Sequence, residues 1–275
     1  MQLTSEELSA LNRAILTRYG MDFSHYEPVS FKRRVSKVIG KFQLESSLGL
    51  WSKLIHDKEF IYTFIDEITV GLTEMFRNHD FWIKLREEVL PEFYSEKSIT
   101  VWHAGCATGE EVYSMVILLA EENLLRKTAL VATDLSPQAI RSAETGKFPM
   151  YCHKTYAANY VAMRGKRKFE NYFQLEEDEM RIHKMFTRNI EFFQHNLSKD
   201  PMQRHFNLIF CRNVMIYFDE VLKMKVLKLF YDALEDDGFL IIGYYDALPA
   251  GYQQYFKIAD PQIKLFRKIN VLQSV

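Results

Sequence analysis

What this chain has little of narrows it first. It holds three cysteines, Cys106, Cys152 and Cys211, far apart in sequence. They form no zinc spacing and suggest no disulfide framework, so no metal is expected and a reducing cytoplasm is the expected compartment. No apolar run approaches the roughly 20 residues that span a bilayer, so no membrane insertion is expected. Charge of one sign is also missing: Lys+Arg 35 against Asp+Glu 36 leaves a net charge of -1. Such a chain carries no global field for nucleic acid or membrane, and any contact of that kind must be local. There is no internal repeat and no low-complexity tract. The opening MQLTSEELSALNRAI reads as an amphipathic helix start and not as a signal peptide.

What is present divides into two patterns. With 275 residues and 48% hydrophobic composition the chain can build one large core or two smaller ones. Up to about residue 70 the apolar residues recur at helical spacing. Leu8, Leu11 and Ile15 share a face, and Phe31, Val35, Val38, Ile39 and Phe42 form a second stripe. Leu50, Trp51, Leu54 and Ile55 belong to a third helix, and Phe60, Phe64, Ile65 and Ile68 to a fourth. Thr69 to Thr73 reads as a linker, followed by a helix bearing Phe81, Trp82, Leu85 and Val89. From residue 98 strands and helices alternate, which predicts a mostly parallel sheet. Strands are expected at Ile99–Ala104, Ala129–Asp134, Ile190–Gln194, Phe206–Cys211 and Phe239–Gly243. Ser136-Pro137 and Gly146 bracket one helix, and Asp219 caps another that runs to near Gly238. Phe256–Asp260 and Ile263–Lys268 read as an edge hairpin. Asn171–Leu175 and Met180–Lys184, around the acidic turn Glu176 to Glu179, read as a small inserted hairpin, for partner recognition or as surface decoration.

The most informative stretch is ITVWHAGCATGEE, Ile99 to Glu111: a strand, a glycine turn at Gly105 and Gly109, and a helix start. That unit is how α/β folds hold a nucleotide-like cofactor. No Lys-Ser/Thr follows Gly109, so it is not a phosphate-cradling loop. The third glycine of a dinucleotide fingerprint is missing, and Glu110 and Glu111 stand where a pyrophosphate would sit. Two carboxylates there suit a ligand with a cationic end, such as S-adenosylmethionine. The helix that follows, with Val112, Met115, Val116 and Leu119, is expected to be amphipathic. Asp134, ending the second strand, is placed to accept from ribose hydroxyls or to form an Asx turn into Ser136. Arg212-Asn213 follow a buried strand at its carboxyl end, with Tyr217 just beyond. There is no Asp/Asn-Pro-Pro-aromatic segment for amino methylation of nucleic acid, and no Pro-Cys pair for ring-carbon methylation.

Taken together, TEMFR (73–77), AGCATGEEVYS, ATDLS, HNL and FCRNVMIYFD resemble the chemotaxis receptor methyltransferases, the CheR family. The resemblance covers nearly the whole chain. It implies an α/β, Rossmann-like, S-adenosylmethionine-dependent methyltransferase domain with an inserted small antiparallel β-subdomain, preceded by a small all-helical domain. The boundaries expected are 1–70 for the helical domain, 71–97 for the linker and connecting helix, and 98–275 for the methyltransferase domain, with the insertion at about 165–188. The implied activity is methyl transfer to glutamate side chains on the cytoplasmic domain of chemoreceptors. Implied cofactor contacts are Thr73, Arg77, Glu111, Asp134, Asn196, Leu197, Arg212 and Asn213, joined by the turn glycines Gly105 and Gly109. Arg77 and Tyr217 are expected to orient the substrate carboxylate. Arg33, Lys37 and Lys41, spaced i, i+4, i+8, with Lys32 and Arg34 adding charge, are either a solvated face or, in this family, a docking face for receptor.

Three departures stand out. Gly71 replaces a frequent asparagine, Val112 replaces a proline, and Gly243-Tyr244-Tyr245-Asp246 replaces Gly-His-Ser-Glu. The short acidic hairpin turn, without glycine, suits a member that does not dock on a receptor-tail pentapeptide. A monomer is expected. The competing readings are a nicotinamide or flavin oxidoreductase, a nucleic-acid methyltransferase, a methyltransferase for another protein, and a non-catalytic S-adenosylmethionine-binding module.

Overall fold

The computed structural model describes residues 3–69 and 73–270. Gly71, and with it part of the expected linker, lies outside the described residues.

The N-terminal part is four helices. α1 (Ser5–Tyr19) begins where Thr4 and Glu7 satisfy each other's backbone N–H groups and ends at Gly20, φ +67°. α2 (Pro28–Lys41) starts with proline behind Glu27, whose carboxylate accepts from the N–H groups of Val29 and Ser30. α3 (Ser47–His56) and α4 (Phe60–Ile68) complete the set. The four stripes meet in one core that includes Leu11, Ile15, Phe31, Val35, Leu50, Leu54 and Phe64. Trp51 departs from its stripe and is 41% exposed. α3 is short and buries only the Leu50/Leu54 edge, and the next residue round points to solvent.

α5 (His79–Lys84) widens into a π-turn at Leu85–Val89. The wider turn keeps Val89 buried beside Phe81, Trp82 and Leu85. Then come β1 (Ile99–Ala104), α6 (Glu110–Glu121), β2 (Thr128–Asp134), α7 (Pro137–Thr145), β3 (Lys147–Pro149) and α8 (His153–Ala162). β4 (Phe173–Leu175), β5 (Glu179–Ile182), β6 (Ile190–Gln194), β7 (Phe206–Cys211), α9 (Glu220–Ala233), β8 (Leu234–Ile242), β9 (Phe256–Asp260) and β10 (Leu265–Lys268) follow. The large sheet has seven strands in the order β6-β2-β1-β7-β8-β10-β9. The first five are parallel, and β10 and β9 are antiparallel to their neighbours, which forms the expected edge hairpin. The chain leaves β1 for β2 on one side and returns to β7 on the other. That reversal opens a crevice at the carboxyl ends of these strands.

Three expectations need correction. α9 ends at Ala233, short of Gly238, because Leu234 already pairs with Phe206 and Asp237 takes φ +60°. The small sheet has three strands, β3-β5-β4, and not two. Its third strand is three residues ending in proline, too short to show alternation. α6 is not amphipathic: every residue from Val112 to Leu119 is buried. Its outer side is covered by the small sheet and α8, with Phe148 packing on Tyr113 (centroids 5.6 Å) and on Tyr156 (6.2 Å).

The helical part is strapped to the α/β part. Tyr26 and Phe218 form an antiparallel bridge, with Glu27 N–H donating to the Tyr217 carbonyl (2.8 Å) and Asp219 N–H to the His25 carbonyl (2.8 Å). His25 Nδ1 lies 2.8 Å from Asp219 Oδ2, while the other Asp219 oxygen caps α9 through Leu222 N–H. On the far side of the molecule the Glu121 carboxylate, fully buried, pairs with Arg86 and accepts from Tyr160, from the Tyr172 hydroxyl (2.9 Å) and from Lys166 N–H (2.8 Å). It ties α6 to α8 and to the chain entering the small sheet. Removing it leaves Arg86 with Glu122 (3.0 Å) and the Arg164 carbonyl (2.6 Å), and leaves two buried phenols without their carboxylate acceptor. Glu121→Ala is therefore expected to cost about 3–5 kcal/mol, read as a lower urea midpoint with an unchanged slope.

Candidate active site

A cavity of about 340 Å³ fills the crevice. That size suits a small-molecule site, for which roughly 300–1,000 Å³ is usual. Its floor is the ends of β1, β2, β6 and β7, and its roof comes from the helical part, including Phe23, Tyr26 and Asp66.

The glycine turn is shaped by its own neighbours. Gly105 has φ +85°, and a Cβ there would lie 2.4 Å from Val214 Cγ2. Glycine thus lets the β1 loop touch the loop after β7. Gly109, φ +95°, packs against Ala143 and Tyr113 and is not part of the cavity wall. Ala107, also at positive φ, donates its N–H to Asp134 Oδ2 (2.9 Å). The other Asp134 oxygen accepts from Ser136 N–H (2.9 Å), so the Asx turn is present. Burial pushes the Asp134 carboxyl up, these N–H groups pull it back, and neighbouring Asp66 pushes it up again.

The paired glutamates separate. Glu110 turns away from the cavity to Thr108 (2.7 Å) and Tyr156 (3.2 Å), and burial raises its pKa. Glu111 does line the cavity. Burial opposes its charge, but His103 (3.0 Å) and Arg212 (2.9 Å) outweigh it and hold the carboxyl below its ordinary range. Arg212 also donates to Asn78 Oδ1 (3.0 Å) and stacks over Phe81 (4.2 Å). It is a buried clamp, and both of its terminal nitrogens donate within the protein. Asn213, at φ +62°, donates its N–H to Asp246 Oδ2 (2.6 Å), which also accepts from Gly243 N–H (2.9 Å). The divergent Gly-Tyr-Tyr-Asp stretch thus anchors the Asn213 loop, while Tyr245 stands 80% exposed.

Asn196 Oδ1 accepts from the Ser198 N–H (2.9 Å) and hydroxyl (2.7 Å), and Leu197 is buried. His195, in the same wall, is buried against Trp102 (centroids 5.5 Å), with the Pro201 carbonyl as a backbone acceptor beside it. Burial lowers its pKa, so it stands neutral near pH 7. Thr73, Arg77 and Tyr217 line the cavity as well. The cavity therefore gathers all the expected cofactor and orienting residues except Gly109. Arg33 and Lys37 are exposed and outside it. Lys41 is exposed as well but ion-paired with Glu67, and Arg34, beside the row, turns inward.

Sequence reasoning missed the helical part of the wall, Asp66 and Tyr26 above all. No motif marks them, because their role depends on how two domains dock. The charge of the wall is informative. Among the described residues it has five carboxylates (Asp22, Asp66, Glu74, Glu111, Asp134) against two guanidiniums (Arg77, Arg212). Such a wall repels a pyrophosphate and suits a sulfonium and ammonium. With a half-buried carboxylate acceptor at the end of β2 and a neutral imidazole at the end of β6, the residues fit S-adenosylmethionine.

Fold and wall define a class: an S-adenosylmethionine-dependent methyltransferase with a helical N-terminal domain. The chain belongs to the CheR methyltransferase family. Residues 71–265 match the family model "CheR methyltransferase, SAM binding domain", and residues 6–69 match "CheR methyltransferase, all-alpha domain". A relative from Pseudomonas putida, named "Putative methyltransferase Cher3", is 35% identical over 96% of this chain and 97% of its own. Proteins named "Chemotaxis protein methyltransferase" from Listeria monocytogenes and Borreliella burgdorferi are each 28% identical, over 84% and 90% of this chain and 86% and 90% of their own.

Asp66 generates a pH prediction. Burial and neighbouring Glu67 raise its pKa, although the Ser136 hydroxyl donates to it and lowers it. An acid raised on folding adds stability below its unfolded pKa, about 3.9, and that stability is lost as pH rises through the folded value. Asp66→Asn keeps the acceptor and removes the charge. It should raise the thermal midpoint at pH 7.5 more than at pH 4.5, in parallel melts.

Proposed function

We propose that this chain methylates glutamate side chains on the cytoplasmic domain of chemoreceptors, and that it does so in the cytoplasm as a monomer. The observation that carries this reading is that Arg77 and Tyr217, far apart in sequence, line one cavity with a carboxylate-rich wall. Bound there, S-adenosylmethionine supplies an electrophilic methyl on a sulfonium. Asp134, the Asn196-Leu197 turn and Asn213 would hold it, with Thr73 and Glu111 beside them. A glutamate nucleophile is already ionised near pH 7, so the protein needs no general base. Its task is to orient the carboxylate in line and to exclude water, because opposite charges cancel as the new bond forms. Arg77 would draw the carboxylate in, and the Tyr217 hydroxyl would fix its direction. An arginine gripping both oxygens would blunt the nucleophile, so a division of labour between the two is favourable. The helical domain, 1–70, would present receptor to the domain from 98 onward.

Incubation with labelled S-adenosylmethionine and receptor-containing membranes should transfer label that mild base releases, as for a carboxyl ester. Base-stable label would overturn the glutamate reading. At saturating cofactor, Tyr217→Phe should lower turnover about a hundredfold, roughly 2.7 kcal/mol, with little loss of cofactor affinity. Arg77→Ala should cost more.

Arg33, Lys37 and Lys41 are all exposed; Lys41 is paired with Glu67, which leaves Arg33 and Lys37 as the two of the row that suit an acidic methylation helix best. The inserted turn is tight, with Glu176 N–H donating to the Glu179 carbonyl (2.8 Å), and Glu179 is engaged by Lys147. That supports docking through α2 without a receptor-tail pentapeptide. Reversing Arg33 and Lys37 to glutamate should raise the KM for receptor severalfold at low salt, and the penalty should shrink as salt screens it. Truncating the receptor tail should change nothing. A normal KM for the reversal variant would make the row a solvated face.

A further inference from the structure

Arg34 sits one position, about 100°, round α2 from the exposed Arg33–Lys37 row. Its guanidinium does not join them. It lies over the Tyr217 ring, 4.4 Å from the centroid, within cation–π range. Its Nη1 donates to the Ile68 carbonyl at the end of α4 (2.8 Å), and its Nε approaches Ser30 Oγ (3.3 Å). Two partners on the helical part therefore hold the cation in place over the phenol. The same region fixes the Tyr217 backbone, through Glu27 N–H on its carbonyl (2.8 Å). Ring and backbone of Tyr217 are both held by the helical part, although Tyr217 belongs to the α/β part.

We propose that Arg34 is a positioning residue for Tyr217, so that the helical domain helps to build the active site and does not serve docking alone. This rests on the reading that Tyr217 orients the substrate carboxylate. A phenol free to rotate would spend much of its time out of line, and small misplacements are costly in displacement reactions. Arginine suits the task because one planar group can stack on a ring and donate at its edge. Lysine can supply charge above the ring but not the fork.

The test uses the full chain with receptor-containing membranes. Arg34→Met keeps the aliphatic stem and removes the guanidinium. It should lower kcat about tenfold at saturating cofactor and receptor, with the KM for receptor and the affinity for S-adenosylhomocysteine within twofold of wild type. Arg34→Lys should fall between the two and guards against a folding defect in the methionine variant. In the double variant Arg34→Met/Tyr217→Phe, turnover should be no lower than in Tyr217→Phe alone, because one residue acts through the other. A raised KM at unchanged kcat would make Arg34 a docking residue, and multiplicative losses would show that it acts independently of Tyr217; either overturns the proposal. Should Tyr217→Phe itself leave turnover intact, the orienting reading of Tyr217 fails, and a second measurement isolates Arg34. In chains labelled with 3-fluorotyrosine, the Tyr217 signal is the one lost in Tyr217→Phe. A shift of that signal in Arg34→Met supports the positioning contact, and an unmoved signal overturns it.

Discussion

The buried pair of Arg212 with Glu111 is the contact on which the site depends. It joins the end of β7 to the start of α6, and through Asn78 and Phe81 it reaches the segment that follows the linker. Three stretches far apart in sequence are thereby fixed around one guanidinium. A pair largely withdrawn from water gains little net stability over apolar packing. What it gives is direction, since a planar fork with defined partners allows few arrangements. The cavity floor inherits that geometry, because Asn213 follows Arg212 directly and Asp246 then holds the turn by its N–H.

Much of this was legible in the sequence. β1, β6, β7 and β9 stand where the sequence placed them: β1 and β7 because a strand buried on both faces is apolar along most of its length, and β6 and β9, at the two edges of the sheet, because their β-branched and aromatic residues stand between polar turns. The caps at Ser136 and Asp219 are equally local, as each side chain bonds an N–H three residues on. The residues of the strand-end turns were legible for a related reason: chemistry concentrates at the carboxyl ends of parallel strands.

The rest was hidden because it depends on packing between elements distant in sequence. α6 carries a helical stripe, and nothing in its pattern announces that α8 and the small sheet cover its other side. β3 is too short to carry a period. Arg34 looks like one more charge on a basic helix until the fold brings Tyr217 beneath it. Glu110 and Glu111 form a matching pair on paper, yet adjacent helical positions point about 100° apart, so one faces Tyr156 and the other the cavity.

Cys106 lies in the wall of a cavity suited to a methyl donor. A thiolate there would compete for the electrophile, and the protein would alkylate itself. Burial, with help from nearby Asp134, keeps this sulfur as a thiol far above its ordinary titration range, and its hydrogen points to the Ala107 carbonyl. A neutral thiol is a poor nucleophile. The burial and the negative neighbours that hold this sulfur neutral thus also give the pocket chemical durability, sparing the catalyst from its own reagent over many turnovers.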